Sequence, residues 1–360
     1  EIRLSLVGSE MCIRDRPYFG TAGRALLTVC SLVILYGLVA PVWRWAIADA
    51  VWSGSADACR AAAGACWSYV GVKLDFFLFG FFPQAEQWRA GIAMAILALV
   101  VAASLLPRFW RAPLLAVWVA SVAVVLWLMG GGAGLTAVAS DSWGGLPLTL
   151  LLAAYGLALG YPLGILLALA RTGSIPLLRY VAVVFIEGLR GVPFVAILFM
   201  ASVTLPLLLP EAATPGKLLR AYIAYSFVAA AYFAEGFRGA LLSMPKGQTE
   251  ASSALGMGYW QTMRHVILPQ CVKRSLPMQV NTVVSFFKDT SLVVIIGLTD
   301  FLRAVSAGSR DAEWLGFDVE GYAFAAATYF CICFAMSRYS AWLEGRRGGA
   351  GPTPVAGQTP

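Results

Sequence analysis

The chain reads as an all-α integral membrane protein of about eight transmembrane helices. Three observations carry that reading. It is 59% hydrophobic and only 12% charged, about half the charged share of a soluble domain, and its mean hydropathy is +0.76. Apolar runs of about 17–25 residues recur, each long enough to cross a hydrocarbon core of roughly 30 Å. Lysines and arginines collect in alternate turns, so the net charge of +7 is read as orientation charge and not as a nucleic-acid footprint.

Residues 1–16 start at Glu1 and lack the long apolar centre of a signal peptide. They are set apart as a non-native or disordered tail with no expected function. The first span is expected over 24–43. A polar stretch, 44–89, follows on the external side, with Cys59 and Cys66 in it. A disulfide there suits an oxidising compartment; two free thiols fit the spacing equally well. The aromatic run Phe76–Phe82 is too short to span and is read as interfacial or packed. Spans over 90–106 and 113–130 are joined by a turn carrying Arg108 and Arg111.

Gly130–Gly134 is read as a flexible external linker, with a domain boundary near 140. Residues 17–140 thus form an N-terminal membrane extension of about three helices, and 141–345 the main membrane domain. The span over 146–170 carries Gly156, Gly160 and Gly164 on one face, spacing that admits a close neighbouring helix. After the basic turn Arg171 to Arg179, residues 180–192 hold Glu187 and Arg190 and are placed at the interface or inside the bundle. Further spans are expected over 193–209, 220–242, 278–298 and 321–343, with a polar external loop from Asp300 to Glu320 and a disordered Gly/Pro-rich tail over 346–360.

With both termini inside, the inner turns receive Arg108 and Arg111, Arg171 and Arg179, Lys246, Arg264, Lys273 and Arg274, and Arg346 and Arg347. The same count puts Ser243–Gln270, a polar interruption of about 28 residues, in the cytoplasm. Within it Pro245 suits a helix start. Gly256 can break the segment into two short helices. Pro269 is expected to limit the second, because the residue before a proline is biased away from helix.

Ionisable residues inside spans cost several kcal/mol, about the worth of a lost partner, unless they are paired or face water. Glu235 and Arg238, three apart on one helix face, can pair. Lys288 and Asp289 lie in an apolar run between Asn281 and Thr290-Ser291. These residues are read either as a pathway for a zwitterionic substrate or as bridges that hold the bundle. A single histidine, His265, argues against a histidine-based triad or metal site, and no metal site is expected. No G-x-x-x-x-G-K-[ST] loop is present, so energy must come from another chain or an ion gradient.

Glu250-Ala251-Ser252, Gly256, Val266, Leu268 and Pro269 stand at the offsets of the EAA loop of ABC importer permeases, which this stretch resembles, with Ser252 and Val266 as the departures. Glu187-Gly188-Leu189-Arg190-Gly191-Val192-Pro193 is similar to the R-G-T-P motif of polar amino acid permeases. Ala231-Tyr232-Phe233-Ala234-Glu235 through Arg238-Gly239 is similar to their A-Y-x-A-E-x-x-R-G motif, and Lys288-Asp289-Thr290-Ser291-Leu292 to K-D-T-S-L. Four motifs in order over about 145–345 resemble the histidine/glutamate/glutamine family, and the extra spans resemble the longer permease subunit of general L-amino acid transporters.

The resemblance implies a type I importer core and a non-catalytic transport subunit of the bacterial inner membrane. Pro245, Lys246, Gly247, Glu250, Ala251, Gly256, Leu268 and Pro269 would form the loop that docks on an ATPase. Glu235, Arg238, Asn281, Lys288, Asp289, Thr290 and Ser291 would line the substrate pathway. Glu187, Arg190, Gly191 and Pro193 would form a gate or interface. Expected partners are two cytoplasmic ABC ATPase subunits binding ATP and Mg, a sister permease (an unequal one, making a heterodimer in preference to a homodimer), a periplasmic amino acid binding protein and the bilayer. No nucleic acid partner and no cofactor in this chain is expected. The competing reading is a gradient-driven secondary transporter acting alone. It would show inverted repeats, and 24–130 does not repeat 146–343.

Overall fold

The computed structural model describes residues 18–109, 112–210 and 214–345. The readings of 1–16 and 346–360, and of Arg111, Arg346 and Arg347, fall outside them. Helices dominate: α1 (Ala22–Trp43), α2 (Ala56–Ala61), α3 (Trp67–Phe79), α4 (Gln87–Leu105), α5 (Ala112–Gly130), α6 (Gly145–Thr172), α7 (Pro176–Gly191), α8 (Phe194–Phe199), α9 (Leu205–Leu208), α10 (Lys217–Leu242), α11 (Lys246–Ala254), α12 (Tyr259–Thr262), α13 (Leu268–Asp289), α14 (Phe301–Gly308) and α15 (Asp318–Gly345).

Among the described residues, six helical runs are long and apolar enough to cross a membrane. They are Ala22–Ala48, Gln84–Leu105, Pro113–Gly130, Gly145–Thr172, Tyr259–Ile296 and Asp318–Leu343. The pair Pro176–Gly191 and Phe194–Leu208 adds a seventh, bent by 105°. The bend falls where expected from chemistry: Val192, before Pro193, is extended at φ −109 and ψ 136. The expected span over 193–209 is therefore half of a broken one. Helix α10 is long enough to be an eighth, although it is less apolar than those seven. Its 26 residues reach about 39 Å, and Lys217, Arg220, Glu235 and Arg238 lower its hydropathy without shortening it.

The chain divides into two compact units: residues up to Val72 with Ala312–Glu320, and Lys73–Asp311 with Gly321 onward. In the first, a disulfide joins Cys59 and Cys66, with Cα atoms 5.5 Å apart. The Cys66 N–H donates to the buried Glu320 Oε1 at 3.0 Å. Arg60 Nη2 donates to the Glu313 carbonyl at 2.6 Å. Tyr69 packs on Trp314 and Phe317.

In the second unit α6 and α10 form the central pair, and the glycine face of α6 explains their approach. A Cβ on Gly156 would lie 2.4 Å from the Tyr225 ring, on Gly160 2.9 Å from the Ser226 carbonyl, and on Gly164 2.6 Å from Phe233 Cβ. Side chains from α6, α7, α10 and α13 fill one core, including Ala182, Ile186, Val228, Phe233 and Phe286. A second core holds α4 and α5 against α6 through Leu97, Val125, Met129, Leu151 and Tyr155. The aromatic run near 80 is packed: Phe77 and Phe82 are buried.

Two expectations are corrected. Gly130–Gly134 is a closed turn, not a loose linker. Gly132 N–H donates to Leu135 O, Trp127 Nε1 to Gly132 O, and the buried Arg89 Nη1 to Thr136 O. Pro269 does not limit the helix after Gly256. Leu268 is helical at φ −59 and ψ −44, and a π-helical turn, Met263–Ile267, precedes it. The wider turn gives room to the proline ring, which would clash with the preceding turn of a regular α-helix, and the helix runs on to Asp289. The expected span over 278–298 thus begins far before 278.

Candidate functional site: coupling loop, ion network and cavity

The loop after α10 is built as its residues dictate. Pro245 sits at the N-cap of α11 in extended geometry. Gly256, at φ +74, takes the left-handed turn that other residues avoid and separates α11 from α12. Lys246, Gly247, Glu250 and Ala251 are exposed. So are large apolar groups beside them, Leu255 at 80% and Trp260 at 74%. Ile267 and Cys271 bury against Ala240 with Met244 and Met263 around them. Gln270 Nε2 donates to Gln248 Oε1 at 3.0 Å, and Arg274 Nη1 to the Ser243 carbonyl at 2.9 Å. The loop is therefore fastened to both α10 and α13, while its outer face stays open.

At the same end of the bundle five charged side chains meet. Glu235 pairs with Arg238 on its own helix at 2.9 Å and with Arg171 at the end of α6 at 2.7 Å. Arg171 also reaches Glu187 on α7 at 2.8 Å. Arg190 lies 3.7 Å from Glu235 and stacks over the Tyr232 ring at 5.4 Å. Glu235 is the most buried of the five, its side chain 11% exposed. Two residues expected at a gate, Glu187 and Arg190, and two expected along a pathway, Glu235 and Arg238, thus form one network, with Arg171 as an unforeseen member. Gly191 and Pro193 sit at the α7–α8 bend.

Tyr232 also lines a cavity of about 410 Å³ with Asn281, Thr282, Ser285 and Asp289 of α13, against Phe194 and Phe286. The structure separates the other candidates from it. Lys288 is exposed on another face of the helix, since neighbours on a helix point about 100° apart. No salt bridge joins Lys288 to Asp289 among the described residues. Thr290, buried, donates to the Phe287 carbonyl at 2.7 Å and Ser291 to the Lys288 carbonyl at 2.8 Å. Both cap the end of α13 where it tightens into the 3₁₀ turn Thr290–Ile296. Thr282 and Ser285 were missed, yet 278, 281, 282, 285 and 289 repeat at helical spacing, which was a readable signal.

The loop is thus anchored within, open outside and continuous with two long helices of a multi-pass membrane protein. Residues 160–348 match the family described as binding-protein-dependent transport system inner membrane component, and the chain belongs to that family. It is a multi-pass inner-membrane permease subunit.

The chain is 42% identical over 343 residues to the inner membrane amino-acid ABC transporter permease protein YhdY of Escherichia coli, covering 93% of this chain and 92% of that one. It is 35% identical to the glutamate/glutamine/aspartate/asparagine transport system permease protein BztC of Rhodobacter capsulatus, covering 95% and 94%. A crystal structure of an amino acid ABC transporter with histidines matches at 28% identity and TM-score 0.50, covering 56% of this chain and 91% of that one.

Proposed function

We propose that this permease carries polar L-amino acids inward by alternating access, powered by two cytoplasmic ABC ATPases that bind ATP and Mg and docked on the outer side by an amino acid binding protein. The observation that carries the reading is one of placement. The cavity at Asn281 and Asp289 lies on α13, and α13 is fastened through Gln270 and Arg274 to the loop bearing Glu250. A force on that loop therefore reaches the cavity wall along one continuous helix, with Pro277 between the anchors and the cavity.

In this reading Glu250 meets a basic residue of the ATPase, with Leu255, Tyr259 and Trp260 filling an apolar groove there. Asp289 takes the substrate ammonium, and Asn281 with Ser285 supplies hydrogen bonds. Lys288 serves elsewhere, and Thr290 and Ser291 act by shaping the helix end. Both termini lie in the cytoplasm by the positive-inside rule. Residues 17–140 form an extension on a core of 141–345, a layout supported by a family match confined to 160–348. The extension favours an unequal sister permease.

The test is uptake of labelled glutamate, glutamine, histidine and leucine into cells expressing the chain with its partner genes, with and without the ATPase. Loss of uptake without the ATPase is expected. Uptake that persists would point to an ion gradient and a transporter acting alone.

A further inference from the structure

Arg171 holds three helices together with one side chain. Its Nη1 bonds Glu235 of α10 at 2.7 Å and its Nη2 bonds Glu187 of α7 at 2.8 Å. It sits one residue from the end of α6. A planar guanidinium can fork between two carboxylates in this way, and an ammonium cannot match that geometry. Of the three helices it joins, α10 runs into the coupling loop directly, and α6 and α10 are the central pair. Charge in the cluster does not cancel, since three arginines face two glutamates. The longest pair, Arg190 to Glu235 at 3.7 Å, belongs to the arginine that stacks on Tyr232. Tyr232 in turn is a wall of the Asn281–Asp289 cavity.

We propose that Arg171 is the hub of a gate that closes this cavity toward the coupling loop, with Glu187 and Glu235 as its two latches and Arg190 linking the latch to the cavity wall through Tyr232. The inference rests on the importer reading. When the ATPases close, α6, α7 and α10 come together and Arg171 bridges them. When they part, the bridges to α7 and α10 separate and the cavity opens inward. Arg171 is thus a positioning residue that need not touch substrate.

The test uses the whole transporter in proteoliposomes, with Asn281→Cys as a reporter and every other unpaired cysteine replaced by serine. A membrane-impermeant maleimide is added on the ATPase side, with and without a non-hydrolysable ATP analogue. In the reporter background the analogue is expected to slow labelling several-fold. Arg171→Gln should abolish that protection, and Arg171→Lys, which keeps charge but not the fork, should restore only part of it. Protection as strong in Arg171→Gln as in the reporter background overturns the proposal. Should Arg171→Gln not insert, Glu187→Gln carries the test, because that carboxylate is 54% exposed: it should halve the protection or more, and full protection overturns the gate. Failure of the importer reading is distinct. It would appear as no nucleotide effect in the reporter background and no ATP-dependent uptake by the unaltered transporter.

Discussion

Gly164 lies against Phe233 so closely that a Cβ on the glycine would stand 2.6 Å from the Cβ of the phenylalanine, with the Ala230 carbonyl at 3.0 Å on the other side. Both obstacles are rigid: one is bonded directly to the backbone of a buried phenylalanine and the other is backbone. The central helix pair cannot make room without shifting. Overpacking of this kind costs about 1–3 kcal/mol. Gly164→Val is therefore expected to lower the yield of folded protein and its melting temperature in detergent. Gly188→Val is the control, since nothing lies within 4 Å of a Cβ at Gly188. Equal melting temperatures for the two variants would remove the glycine face as the reason for the close approach.

The coupling loop predicts a loss of transport without loss of fold. Glu250 is exposed, so reversing its charge leaves the permease packed. Breaking one partner of a desolvated charge pair at an interface costs about 2–5 kcal/mol, which is roughly 30-fold or more in affinity. Glu250→Arg should abolish ATP-dependent uptake, with membrane insertion unchanged by fractionation. Trp260→Ala should weaken capture of the ATPase by a purified permease, because it removes a large exposed ring from the same face. Unchanged uptake in Glu250→Arg would sink the docking role of that residue.

How much of this was legible in the sequence differs by residue. Glu235 and Arg238 pair because they are three apart on a helix, a rule that acts locally and can be read directly. The coupling-loop breaks at Pro245 and Gly256 were legible for the same reason. Arg171 was read only as an orientation charge. Its partners lie 64 and 16 residues away, and only the packing of three helices brings them together. Lys288 and Asp289 were grouped because they are adjacent, but helical geometry sends neighbours to different faces. At Pro269 a sound local preference lost to a π-turn, which the sequence does not announce. The span over α10 was readable as apolar length, although four half-buried charges, Lys217, Arg220, Glu235 and Arg238, interrupt it.

The disulfide gives a third prediction. The bond between Cys59 and Cys66 closes a short loop, and such closure typically contributes about 2–4 kcal/mol to the segment it constrains. Within that unit the Cys66 N–H is held by Glu320 and Arg60 holds the Glu313 carbonyl, so the constraint spreads to 312–320. Replacing both cysteines by serine should speed proteolysis in 52–66 and 312–317 on the intact protein. Peptides covering α13 should be cleaved as before. Non-reducing peptide mass spectrometry of the unaltered chain should show the two cysteines linked; two free thiols would overturn the premise.

Asp300 supplies a pH dependence on the segment after the 3₁₀ turn. It caps α14, accepting from the Leu302 and Arg303 N–H groups at 3.1 Å each, and it is fully buried. Burial pushes its carboxyl up from 3.8 to about 6, with the two backbone donors holding it partly down. The folded value is raised above the unfolded one. Its contribution to the folded segment is therefore complete below about 3.8 and is lost as pH rises through about 6. A difference of that size corresponds to about 3 kcal/mol between the protonation states. After correction for intrinsic exchange, amides of Phe301–Gly308 should be better protected at about pH 5 than at about pH 7.5. Asparagine caps a helix as well as aspartate does, so Asp300→Asn should keep α14 formed and flatten that dependence. A pH dependence surviving unchanged in the variant would assign the titration to a group other than Asp300.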